Sequence, residues 1–186
     1  MKIDTATGLL DGARQQASPN YDSRPAGCEP ELLVIHNISL PPGEFGGPEI
    51  DALFTNTLDP AAHPSFSEIA HIRVSAHILI RRDGELVQYV PFHKRAWHAG
   101  ESSYSGRTNC NDFSIGIELE GADNIPYTDP QYRHLAELLG VLLDQYAMLQ
   151  RRHIVGHADI APQRKTDPGP SFSWQTLNRL LDERMV

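Results

Sequence analysis

LLVIHNI, residues 32–38, is an apolar run closed by a histidine and an asparagine. The unbroken aliphatic stretch Leu32 to Ile35 is more than a strand with one wet face needs, so the run reads as a strand buried on both sides, of the kind found in α/β sheets. His36 then falls at the end of a buried strand, where open α/β sheets carry their chemistry. Further along, SIGIELE at 114–120 alternates, with Ile115, Ile117 and Leu119 on one face and Gly116, Glu118 and Glu120 on the other. Val74 to Arg81 and Glu85 to Val90 are β-rich runs around Arg82-Asp83-Gly84, and Asp-Gly between such runs signals a hairpin. Another strand is expected around residue 154. Thr128-Asp129-Pro130 opens the longest helical pattern, in which Leu135, Leu138, Leu139, Leu142, Leu143 and Tyr146 recur at three-and-four spacing down to about Leu149. Glu49 to Thr55 reads as a short helix, and Trp174 to Arg184 as an amphipathic one with Leu177, Leu180 and Leu181 inward. The fold class expected is α/β: a single domain with a central mixed sheet flanked by helices.

Size and charge narrow the function classes. At 186 residues the chain is one domain, 1–186, able to bury a core without staples, with residues 1–30, broken by Pro19, Pro25 and Pro30, as an arm packed on it. A net charge of −8 argues against a nucleic-acid or anionic-membrane partner but leaves room for a small-molecule substrate in a locally basic pocket. Cys28 and Cys110 match no paired metal spacing and read as free thiols. MKIDTATGLLDGARQQ has no secretory pattern and no apolar run reaches membrane length, so a cytoplasmic protein, monomeric, is the expectation.

Chemistry concentrates in HIVGHADIAPQRKTDPGP, residues 153–170. Pro162, Pro168, Gly169 and Pro170 break regular structure, so the segment reads as a shaped loop too irregular for a helix. Such a loop loses entropy on ordering and needs something to fix it, and a metal ion does so. His157 offers an imidazole and Asp167 a carboxylate, both suited to Zn²⁺, with His36 the best third donor and His98 its competitor. Lys165 and Asp167 alternate in extended chain and point the same way. PPGEFGGP at 41–48 is a candidate wall of the pocket. Trp97 either stacks on a sugar or plugs the core. Arg107, in a glycine-flanked loop, either meets a substrate carboxylate or is solvated. A carboxylate of the 114–120 strand that lines a cleft has its proton affinity raised toward the range of a base, but periodicity does not choose between Glu118 and Glu120.

GHADIAPQRKTDPGP, with LLVIHNISLPPGEFGGP upstream and NDFSIGIELEG between, resembles the AmpD-type 1,6-anhydro-N-acetylmuramyl-L-alanine amidases over nearly the whole chain, from about Leu10 to Trp174. The resemblance implies that His36, His157 and Asp167 hold one Zn²⁺, that Glu118 handles the proton of water and that Lys165 stabilises an oxyanion. It also ranks His98 behind His36 and, with Asn37, Arg73, Trp97 and Arg107, among substrate contacts. The wider superfamily of peptidoglycan recognition proteins and phage lysozyme-type amidases usually carries a cysteine at the position of Asp167 and a tyrosine at that of Glu118, so this chain follows the narrower pattern. The implied reaction is cytosolic hydrolysis of the bond between an anhydro-muramic lactyl group and L-alanine, in cell-wall recycling, with an influence on β-lactamase induction. The competing class is a muropeptide-binding module without chemistry, which has no need of an activated water.

Overall fold

The strand expected at LLVIHNI is present over Leu32–Ile38, with residues 32–36 buried, in the computed structural model, which describes residues 1–184. It belongs to a six-stranded mixed sheet. In chain order the strands are β1 (Arg14–Gln15), β2 (Leu32–Ile38), β3 (Ile78–Ile80), β4 (Leu86–Gln88), β5 (Ser114–Glu120) and β6 (Ile154–Gly156), arranged across the sheet as β6-β2-β5-β3-β4-β1. β6, β2, β5 and β3 run parallel, β3 and β4 form the antiparallel hairpin expected around Asp83-Gly84, and β1 adds a parallel edge. The N-terminal arm therefore contributes a strand of its own. It also sends Arg24 inward, where the guanidinium reaches the carbonyls of Asn111, Asp112, Phe92 and Ser114 at 2.8–3.2 Å.

Helices α1 (Glu49–Phe54), α2 (Asp129–Gln145), α3 (His157–Ile160) and α4 (Trp174–Arg184) complete the domain. On one face of the sheet Leu33, Ile35, Ile115, Ile117 and Leu119 pack under Leu135, Leu138, Leu139 and Leu142 of α2 and Leu177 and Leu181 of α4. The other face is covered by α1 and irregular chain, through Leu53, Phe54, Leu79 and Val87 near the hairpin and Leu32, Val34, Phe113 and Ile160 near β2. All seven residues of β5 are consequently buried, so its polar face lines the interior.

Helix α2 starts where the sequence places it: Thr128 Oγ1 accepts the Gln131 N–H and Gln131 Oε1 accepts the Thr128 N–H, a reciprocal cap that satisfies two otherwise orphaned donors. It stops at Gln145, short of the expected Leu149, because Tyr146 turns to extended backbone. Leu149 still buries its side chain from the following turn, and that prolongs the apolar spacing past the helix. The strand expected around residue 154 is present as β6, and the 153–170 segment differs from expectation in the single turn of α3 that follows it. Asp159 makes that turn possible by accepting the Gly156 N–H at 2.7 Å.

His77, just before β3, pins three segments together. Its Nδ1 accepts the Gly116 N–H at 3.0 Å, so in the neutral ring the proton sits on Nε2 and is donated to the Lys94 carbonyl at 3.0 Å. Burial, reinforced by the nearby Arg24 guanidinium, lowers its pKa from 6.5 to about 3. Between those two values the unfolded chain binds a proton that the native protein refuses. The stability this residue contributes is therefore complete above pH 6.5 and declines as pH falls toward 3. Replacing His77 by Gln, which keeps a donor for Lys94, is expected to flatten the decline of unfolding free energy between pH 6 and 4 by ~1.4 kcal/mol per pH unit, followed by urea titration. Parallel pH dependences for the two proteins would contradict this account.

Candidate active site at the strand ends

Register brings the polar side chains together. β2 and β5 pair in parallel with Glu118 opposite His36 and Gly116 opposite Val34, and β6 pairs with β2 so that Gly156 lies opposite Ile35. Paired residues of adjacent strands share a face, so His36 and Glu118 stand side by side, turned away from α2 and α4. His157 follows β6 directly as the first residue of α3 and arrives at the same level. Asp167 is delivered by the loop. Its carbonyl accepts the Ala158 N–H at 3.0 Å, and Pro168 packs against Gly156, where a Cβ would come within 2.8 Å of the proline Cδ. The Pro168 carbonyl in turn accepts the Tyr127 hydroxyl at 2.8 Å.

The result is a triangle of electron-pair donors. His36 Nδ1 lies 2.9 Å from His157 Nδ1, and Asp167 Oδ2 lies 3.1 Å from the first and 3.0 Å from the second. Both imidazoles are buried, at 1% and 3% exposure. His157 Nε2 faces the Ala99 carbonyl at 3.1 Å, which can only accept, so the neutral ring carries its proton there and turns a lone pair toward the carboxylate. His36 resists a further proton. Burial lowers the His36 pKa to about 4, despite the opposing pull of Asp167. For Asp167, burial acts to raise the pKa, but the closeness of the His157 and His36 rings overrides it and holds the carboxyl well below its usual range. Facing lone pairs in a buried place call for a cation, and two imidazole nitrogens with one carboxylate oxygen suit zinc. Tetrahedral bonds of about 2.0–2.1 Å set ligand atoms roughly 3.3 Å apart, close to the spacing found. Among the described residues no fourth His, Cys, Asp or Glu joins the group, which leaves a coordination position open.

Beside the triangle, Glu118 is 8% exposed and its Oε2 has no hydrogen-bond partner. Burial pushes its carboxyl well above the ordinary range, Asp167 adds to the rise, and Lys165 opposes it. The Lys165 ammonium thus lies within electrostatic reach of both Glu118 and His36. Glu120, equally placed by periodicity, is committed elsewhere: its carboxylate binds Arg81 at 3.2 Å and the N–H groups of Gly46 and Arg82 at 2.6 and 3.0 Å. It anchors the 41–47 loop, which with Phe45, Arg81 and Arg82 lines a cavity of about 600 Å³ next to Glu120.

The remaining sequence candidates are dispersed. His98 stands behind His36, its Nδ1 3.0 Å from His36 Nε2. Asn37 donates to Asp123 Oδ1 at 2.8 Å, and Trp97 is half-buried with its backbone N–H on Ser75 Oγ. Arg107 pairs with Glu31 at 2.7 Å and covers the Phe113 ring, and Arg73 is exposed with only the His71 carbonyl near it. Neither arginine touches the triangle. Ala99, Asn111, Ser114 and Tyr127 support the site, yet the sequence assigned none of them a role: Asn111 and Ser114 lie in the NDFSIGIELEG stretch as neutral polar residues, Tyr127 lies outside the quoted motifs, and Ala99 acts through its backbone.

Comparison with known proteins shows the family to which the chain is similar. A family profile described as N-acetylmuramoyl-L-alanine amidase matches residues 26–170. The chain is 64% identical over 176 residues, 95% of its length and 96% of the relative's, to the 1,6-anhydro-N-acetylmuramyl-L-alanine amidase AmpD of Escherichia coli (strain K12). It is 53% identical over 172 residues to the protein of that name from Haemophilus influenzae, covering 92% and 94% of the two chains. A crystal structure of a selenomethionine derivative of AmpD superimposes with a TM-score of 0.94 at 62% identity, over 97% of this chain and 99% of that one. The amidase AmiD from Escherichia coli, in complex with the substrate anhydro-N-acetylmuramic acid-L-Ala-D-γ-Glu-L-Lys, superimposes at 0.58 with 28% identity, over 92% of this chain and 60% of that one.

Gly116 offers a direct check on how tightly the face is packed. A Cβ there would come within 2.3 Å of His98 Cγ, so the imidazole must move. Gly116→Ala is expected to lower stability by about 1–3 kcal/mol, as overpacked cores do, read by thermal unfolding. Unchanged stability would mean that the ring relocates freely.

Proposed function

The chain belongs to the N-acetylmuramoyl-L-alanine amidase family and, within it, to the AmpD type, and we propose from that premise that it is a zinc-dependent enzyme hydrolysing the amide between the lactyl group of 1,6-anhydro-N-acetylmuramic acid and L-alanine of the stem peptide. His36, His157 and Asp167 hold the ion. Zinc supplies Lewis acidity, which brings the pKa of water from about 15.7 toward roughly 7. Glu118 accepts the proton of the attacking water on its unpartnered Oε2 and returns it to the departing alanine nitrogen. Lys165 stands beside the oxyanion that forms on the lactyl carbonyl and stabilises it. The observation that carries this reading is the unsatisfied Glu118 oxygen next to a three-donor group with an open position, because a pure binding module has no use for either.

The substrate is carried over from the relatives, whose names specify the anhydro sugar and whose AmiD member is bound to an anhydro-muramyl tripeptide. A −8 charge and unpaired Cys28 and Cys110 support action on a small molecule in the cytoplasm, within peptidoglycan recycling, where removal of anhydro-muropeptides limits β-lactamase induction. No described helix is long and apolar enough to cross a membrane. We assign Asn37, Arg73, Trp97, His98 and Arg107 no direct role in the bond cleavage.

Release of the stem peptide from an anhydro-muropeptide, measured chromatographically alongside zinc content, tests these roles. Glu118→Ala is expected to keep its zinc and lose ~10²–10⁴-fold in kcat. His157→Ala is expected to lose both metal and turnover. Lys165→Ala should keep zinc and lose ~10²–10³-fold, as for removal of one oxyanion donor. Undiminished turnover in Glu118→Ala would remove that residue from the reaction.

A further inference from the structure

Both imidazoles of the site are held from behind by one dipeptide. His98 offers Nδ1 to His36 Nε2 at 3.0 Å, and Ala99 offers its carbonyl to His157 Nε2 at 3.1 Å. The dipeptide is itself clamped, because the Asn111 carboxamide oxygen accepts the N–H of His98 at 3.1 Å and that of Ala99 at 2.8 Å. The second nitrogen of His98 lies 3.1 Å from Ser114 Oγ, and its ring fills the space that the missing side chain of Gly116 leaves. Arg164 adds a hydrogen bond to the Ala99 carbonyl at 2.6 Å.

Proton positions give this arrangement a purpose. A histidine that turns Nδ1 toward a cation must carry its proton on Nε2, and the partner of that proton fixes both tautomer and ring angle. Ala99 supplies an acceptor that cannot donate, so it selects the required form of His157. His98 can do the same for His36, since Ser114 Oγ is available to take the proton of His98 Nε2 while His98 Nδ1 accepts.

We propose that Asn111, His98 and Ala99 form a positioning unit that sets the tautomer and orientation of both histidine ligands, so that His36 and His157 present their Nδ1 lone pairs to a common point. The unit rests on the metal reading of the triangle. It gives His98 a role acting through His36 in place of a substrate contact, and it brings in Asn111, the first residue of the NDFSIGIELEG stretch, to which the sequence assigned no role.

Zinc affinity, measured by competition with a chromophoric chelator, and the visible bands of the cobalt-substituted protein report on ligand orientation independently of turnover. Asn111→Leu and His98→Phe are expected to raise the zinc dissociation constant ~10–100-fold, the usual consequence of losing an outer partner of a ligand, and to shift the cobalt bands. Asn111→Asp, which keeps an acceptor oxygen, is expected to stay near wild type. In the zinc-loaded wild type, ¹⁵N NMR is expected to find His98 protonated on Nε2. Wild-type affinity and bands in His98→Phe and Asn111→Leu overturn the proposal, as do equal losses in Asn111→Asp and Asn111→Leu. If Asn111→Leu does not fold, His98→Phe, whose ring keeps its place over Gly116, decides alone. His157→Ala separates the two levels of argument. If it binds zinc normally, the metal reading fails; if it loses zinc while His98→Phe binds normally, only the positioning unit fails.

Discussion

Parallel pairing of Glu118 with His36 is the constraint on which the site depends. In a sheet, a shift of one residue turns every side chain to the other face, so this register decides whether the carboxylate and the imidazole meet or point apart. It is held from both sides. Ile115, Ile117 and Leu119 are locked under α2 and α4, and Gly116 leaves room for the His98 ring on the opposite face. The same hydrophobic packing that stabilises the domain thus places a carboxylate beside an imidazole at the end of β2.

Burial then changes the chemistry of what has been assembled. In a low-dielectric setting a carboxylate without a hydrogen bond is costly, which is why the Glu118 carboxyl binds a proton far more readily than in water. The His36 imidazole shifts the opposite way, since burial disfavours its charged form. A site of this kind contains strong electron-pair donors that resist protonation beside an acid that welcomes it, and that division suits a bound cation with a neighbouring proton acceptor. Glu120 illustrates the contrast: two residues along the same strand and on the same face, it is satisfied by Arg81 and two backbone donors and serves to anchor a loop.

The supporting elements divide along the same lines. α2 and α4 act on the fold alone, through leucines at helical spacing that were legible from the sequence. The irregular chain on the other face acts on the site: Ala99, Asn111 and Tyr127 approach it from segments without periodicity and Ser114 from the first position of β5, and their contacts follow from how loops cross the sheet. Arg107 and Arg73, which the resemblance places among substrate contacts, are held away from the triangle by the folded chain, Arg107 against Glu31 and Phe113 and Arg73 at the surface.

By itself the sequence determined the α/β class, the strands at 32–38 and 114–120, the hairpin, both amphipathic helices and the donor types His36, His157 and Asp167, because burial periodicity and turn chemistry are local properties of the chain. It left α2 a few residues too long and the 153–170 segment without its single helical turn, since a side chain that buries from a turn keeps the spacing of a helix. Periodicity left Glu118 and Glu120 equivalent and the family resemblance favoured Glu118; the tertiary structure supplies the physical difference between them, sets His36 in the triangle with His98 behind it, and turns both Nδ1 atoms inward. Those choices depend on hydrogen-bond partners brought from distant parts of the chain, and such partners exist only once the sheet has closed.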